Sequence, residues 1–190
     1  MGESVYKSIF VVLLLAFCWL AMMAVHEFGH IIGAILSGST IEQVVLSPLT
    51  ISRTDVRPNN APTLVVWLGP ILGCLIPWLF AWIIPQHRTV EKNIGLFWGG
   101  FCLIANGAYI GLGSIDQIGD CGEMLRNGSP PAALWGFGIL AVGSGFYAWH
   151  RLGSVQQFLV QPFEVDHQTT LGLTTLVAAM AGIGWLFFSG

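Results

Sequence analysis

Charge is what this chain of 190 residues has least of. Only 9% of its residues are Asp, Glu, Lys or Arg, against roughly 25% in a soluble globular protein. So few charges cannot cover a water-facing surface, which excludes an ordinary soluble domain. The balance is slightly acidic, at a net charge of −3, and no basic block is present; this excludes an electrostatic footprint for nucleic acid. Cysteine is sparse and unpatterned. Cys18, Cys74, Cys102 and Cys121 show no CxxC and no paired spacing, so they read as small packing residues, not a disulfide framework or a thiolate metal site.

Apolar sequence fills the space that charge leaves. Hydrophobic residues make up 54% of the chain, and the mean hydropathy is +0.72. A hydrocarbon core about 30 Å thick needs about 20 apolar residues per helix. On that basis five spans are expected: roughly Ser8–Leu36, Thr63–Ile84, Ile94–Leu112, Pro131–Trp149 and Thr169–Phe188. Lys7 followed by an apolar stretch has the outline of a secretory leader, but the run is too long for one, so it is read as a span. Several of the 8 Trp fall near span ends, where interfacial aromatic belts lie. The expected fold class is an all-α polytopic membrane protein of about five transmembrane helices. Residues 1–190 are expected to form a single membrane-embedded domain, with a core over about 8–126 and two further spans.

Two connections differ from simple loops. Residues Ile41 to Asn60 alternate in part and contain Pro48, which predicts a short β-hairpin or ribbon after the first span. Residues Gly113 to Pro130 hold Asp116, Asp120, Glu123 and Arg126 and have no run long enough to span. If the spans alternate, Lys7, Arg88, Lys92 and Arg151 face one side and Arg53, Arg57 and Arg126 the other. That difference gives only a slight preference for a cytoplasmic N-terminus. Gly69–Gly73 and Gly107–Gly111 have the small-xxx-small spacing that lets helices approach closely. Packing within the chain is the simpler expectation for them, ahead of a dimer interface; the oligomeric state is left open.

The first span carries the chemistry. Between Ile9 and Leu36 its only acidic or basic side chains are His26, Glu27 and His30. A helix places residues four apart on one face, a turn above each other, so both imidazoles can address one ion with Glu27 beside them. Two His at this spacing around a Glu is the signature of a zinc hydrolase helix. The His residues hold the metal, and the Glu takes a proton from the attacking water. Ionisable groups within a span are costly and usually functional, so a chance triplet is the poorer explanation here.

A catalytic zinc takes three protein ligands and leaves one position open. His87, His150 and His167 lie in loops or at span ends and read as surface residues. Asp116 and Asp120 follow an apolar span, lie four apart among glycines, and would face the same way on a helix. The plainer alternative is an exposed acidic turn or a helix cap. Asn106 is the only amide within the third span. A buried amide needs partners, and an active site or a helix–helix hydrogen bond would supply them.

Taken together, these residues resemble the site-2 protease family of intramembrane zinc metallopeptidases. The resemblance rests on His26-Glu27-Phe28-Gly29-His30 within a span, the ribbon-like stretch after it, and Leu68-Gly69-Pro70 opening into an apolar span. It rests also on Asn106 followed at a distance by Asp120 beside Gly119. No Pro follows Asn106 before Asp120, and Asp120 precedes Cys121 where family members often have Gly. The resemblance covers roughly residues 20 to 126. It implies one zinc ion per chain, held by His26, His30 and Asp120, with Asp116 as the alternative third ligand. It implies Glu27 as general base, Asn106 as a hydrogen-bond donor to the substrate or oxyanion, and the ribbon at 41–57 as an edge strand for an extended substrate. The expected activity is hydrolysis of membrane-embedded protein substrates within the lipid bilayer. Two alternatives stand beside it: a non-cleaving membrane metalloprotein or pseudoprotease that binds and regulates partners, and a small proton-relaying transporter. The transporter reading lacks an inverted repeat.

Overall fold

The computed structural model describes residues 3–49, 51–153 and 167–188. In chain order these form α1 (Glu3–Leu36), β1 (Ile41–Val45), β2 (Arg53–Val56), α2 (Pro62–Ile83), α3 (Thr89–Asp116), α4 (Gly119–Arg126), α5 (Pro131–Arg151) and α6 (His167–Phe187). Five helices, α1, α2, α3, α5 and α6, are long and apolar enough to cross a bilayer. The protein is thus an integral, multi-pass, all-α membrane protein with a two-stranded antiparallel hairpin after its first helix.

The helices outrun the hydropathy. α3 extends from Thr89 to Asp116, several residues beyond each end of the expected Ile94–Leu112. Backbone hydrogen bonding continues into the polar flanks until a conformation stops it. Here that stop is Gln117, which takes a left-handed conformation (φ 55°) and donates its backbone N–H to Gly113 O. This cap also corrects one expectation. Asp116 and Asp120 do not share a helical face, because α3 ends at the first and α4 begins anew at Gly119 before the second. α2 holds Pro70 and Pro77 in its interior, which a membrane helix tolerates when its neighbours satisfy the freed backbone groups.

Close helix approach sets the bundle. At Gly33 of α1 an added Cβ would lie 2.8 Å from Val65 Cα of α2. On the other side of the bundle, Gly111 and Gly138 bring α3 and α5 together, and an added Cβ at Gly138 would lie 2.8 Å from Gly111 Cα. The Gly107–Gly111 pair therefore packs within the chain. Phe10, Leu14, Cys18 and Ala21 of α1 form the main buried cluster with Phe97, Trp98 and Cys102 of α3 and Leu173 of α6. All four cysteines are buried and unpaired.

Two pieces close over the end of the bundle where α1 finishes. The hairpin pairs Val44 with Thr54 and Val45 with Arg53, with an irregularity between Ile41 and Gln43. Its base is fastened by Asn60, whose Nδ2 donates to Gly38 O (2.8 Å) and whose backbone N–H donates to Ser39 Oγ (2.9 Å). The α3–α5 connection folds back onto the start of α2. Trp67 Nε1 donates to Ser129 Oγ at 2.9 Å, and Cys121 and Met124 of α4 are buried with Val66, Ile110 and Leu134. α4 is thereby carried to the C-terminal half of α1, where the His-Glu-His turn lies.

Candidate metal centre

His26, Glu27 and His30 are all buried on α1, and their candidate ligand atoms lie within 4.8 Å of one another. Each imidazole is oriented by an oxygen behind it. His30 Nδ1 donates to the backbone carbonyl of Val65 at 2.9 Å. His26 Nδ1 donates to Asn106 Oδ1 at 2.6 Å. The amide orientation of Asn106 follows from its other end, where Nδ2 donates to Cys102 O at 2.9 Å; a carbonyl can only accept. With Nδ1 protonated on both rings, the neutral imidazoles present lone pairs at Nε2.

Those two lone pairs converge on a carboxylate. His26 Nε2 lies 3.1 Å from His30 Nε2. Asp120 Oδ2 lies 2.8 Å from the first and 3.3 Å from the second. Three such atoms at this separation need a proton or a metal ion between them. Tetrahedral ligands with bonds of about 2.0–2.1 Å to zinc are themselves about 3.3 Å apart, so the donor set and its spacing fit that ion. Each His is also braced at its second nitrogen, as metal-bound His usually is.

As a carboxylate, Asp120 would supply the anionic ligand of the set. Its backbone N–H donates to Tyr109 Oη at 3.1 Å, and the Tyr109 ring stands edge-on to His26 at 6.0 Å. Burial and then the charge of Asp120 push the neighbouring Cys121 thiol up to about 11. That thiol donates to Tyr109 O at 3.1 Å.

The other residues singled out from the sequence fall elsewhere. Asp116 is exposed at the end of α3, and His87 and His150 are exposed. The side chain of His167 lies outside the described residues. Asn106 is only 1% exposed, and it faces the back of His26, not the open side of the cluster. Its Oδ1 is committed to His26 and one amide N–H to Cys102. Three participants were not legible in the sequence. Val65 contributes only a backbone carbonyl. Gly69 leaves room for the His30 ring, which an added Cβ would strike. Thr54 of β2 donates its hydroxyl to Glu27 Oε2 at 2.7 Å. For Thr54 the only sequence signal is a hydroxyl in the strand after the motif, too common to single out.

A sequence model described as Peptidase M50B-like matches residues 5–111, more than half of the chain. The match takes in α1, the hairpin, α2 and most of α3, and so includes His26, Glu27, His30 and Asn106; it stops short of Asp120. Comparison with curated proteins gives no match, and comparison with solved structures gives none.

Proposed function

The chain belongs to the Peptidase M50B-like family, related to the site-2 proteases, and we propose that it is an intramembrane zinc metallopeptidase that hydrolyses peptide bonds of membrane-embedded protein substrates. The observation that carries the reading is the convergence of His26 Nε2, His30 Nε2 and Asp120 Oδ2 to within 3.3 Å of one another, with Nδ1 of each ring bonded to an oxygen behind it. These three residues would hold one zinc ion per chain. Bound there, zinc acidifies water and polarises a scissile carbonyl.

The chain's own residues do the rest. Glu27, next to the first His and buried, takes a proton from the attacking water and passes it to the leaving amine. Asn106 and the Val65 carbonyl fix the tautomer and the angle of the two imidazoles. In this reading Asn106 orients His26 and is not the oxyanion donor. Burial of the cluster within the bundle excludes bulk water, which strengthens each of these electrostatic contacts. The hairpin lies beside Glu27 through Thr54, so an extended substrate segment added to its edge would reach the same place.

The test uses the full chain in lipid bilayers with a single-span reporter of Leu and Ala carrying a central Asn-Pro-Gly, residues that lower the cost of exposing a backbone carbonyl. The zinc-loaded protein should cut it, and Glu27→Gln should not. Zinc bound to both proteins with no cleavage by either would favour a non-cleaving metalloprotein.

A further inference from the structure

We propose that Thr54 is the positioning residue of the general base, fixing the Glu27 carboxylate through one of its oxygens and leaving the other to meet water. The inference rests on the assignment of Glu27 as base. Its ground is a contact that the active-site motif does not contain. Thr54 lies 27 residues beyond Glu27, on a different element, and its Oγ1–H donates to Glu27 Oε2 at 2.7 Å. That is an ordinary length for an O–H···O hydrogen bond. A hydroxyl has one proton, so only Oε2 is taken; Oε1 has no hydrogen-bond partner among the described residues.

The rest of the geometry makes Thr54 a fixed support. A Glu side chain has three rotatable bonds, and the two His neighbours on α1 are committed to other partners. Nothing on α1 is seen to hold the carboxylate. Thr54 is β-branched and stiff at χ1, and its backbone is held in register opposite Val44. The hairpin is itself held at two places. Asn60 fastens its base to the end of α1. At the end of β1, Leu46 N–H donates to Phe188 O at 2.9 Å, just beyond the last turn of α6. There Gly184 packs against Leu46 O so closely that a Cβ would collide with it. A line of contacts thus runs from α6 through the hairpin to the base. α6 lies outside the residues matched by the family model, so this support is a property of the chain as a whole.

The experiment reads Glu27 by infrared difference spectroscopy of the zinc-loaded full chain in bilayers, wild type minus Glu27→Gln, which isolates the Glu27 carboxylate bands. Thr54→Val, nearly the same shape without the hydroxyl, should shift the antisymmetric carboxylate band and leave zinc content unchanged. Thr54→Ser should restore the wild-type band. With the Asn-Pro-Gly reporter, Thr54→Val should lower kcat about tenfold, the scale of one lost hydrogen bond to a charged group, with KM unchanged; Thr54→Ser should recover it. An unshifted band in Thr54→Val would overturn the proposal. So would a Ser variant that behaves like Val, since it would trace the effect to methyl packing. Cleavage by Glu27→Gln at the wild-type rate would instead overturn the assignment of Glu27 as base, and the infrared band would still decide whether Thr54 holds the carboxylate.

Discussion

The Nδ1–H of His26 points at Oδ1 of Asn106 across 2.6 Å, and this one hydrogen bond turns the other nitrogen of the ring toward Asp120. α1 alone does not set that angle, since an imidazole rotates about two side-chain bonds. Asn106→Leu should therefore loosen His26 while removing no ligand. Zinc affinity should fall about ten- to a hundredfold, the usual effect of losing a residue behind a metal-bound His. Competition with a calibrated chelator measures it. An unchanged affinity would mean that Asn106 serves only helix packing.

Asp120 and Asp116 make a matched pair for testing the third ligand. Asp120 lies against both imidazoles, whereas Asp116 is exposed beyond the cap at Gln117. Asp120→Asn should weaken zinc binding by more than tenfold, because it replaces an anionic ligand with a neutral one. Asp116→Asn should bind as wild type does. Elemental analysis after dialysis against graded chelator separates them, and the reverse ranking would reassign the ligand.

These two residues also mark what was legible in the sequence. His26, Glu27 and His30 were legible because a helix converts their spacing directly into a shared face. The spans were legible because lipid demands apolar length. Asp120 is preferred to Asp116 in the sequence only for its position after Asn106 and beside glycine; the turn that separates the two has no sequence signature. Gln117, not a glycine, takes the left-handed turn that separates them. The contact between Asn106 and His26 is not legible in the sequence, because an amide in a span can face a substrate or a neighbouring side chain, and only the packing of α3 on α1 and α2 decides. Val65 was invisible in principle, since any residue offers a carbonyl.

Gly69 tests the packing around His30. An added Cβ there would overlap the imidazole ring, whereas at Gly73 it would lie 3.1 Å from the Asn106 amide, which would need to give by only a few tenths of an ångström. Gly69→Ala should destabilise the zinc-loaded protein by about 1–3 kcal/mol, as overpacking does, and Gly73→Ala by less. Thermal unfolding in one detergent at fixed zinc concentration compares them. Equal midpoints for Gly69→Ala and wild type would show that His30 does not need that space.

Gly184 tests the support from α6. Gly184→Val places a side chain against Leu46 O and should push the end of β1 away from α6. The expected result is a shift of the Glu27 infrared band in the direction given by Thr54→Val, with zinc content retained. A wild-type band would show that the hairpin holds its place without α6.

In the proposed reading one buried cluster binds zinc and cuts a peptide bond with Glu27 as base. Zinc content and cleavage of the membrane-spanning reporter, measured on the same bilayer preparations of wild type and Glu27→Gln, test it most directly. One zinc per chain is expected in both proteins, with cleavage by the wild type and a loss of at least a hundredfold in Glu27→Gln, within the range that general base catalysis contributes, about 10²–10⁴. Wild-type protein that takes up no zinc, or a Glu27→Gln variant that cleaves as fast as wild type, would contradict it.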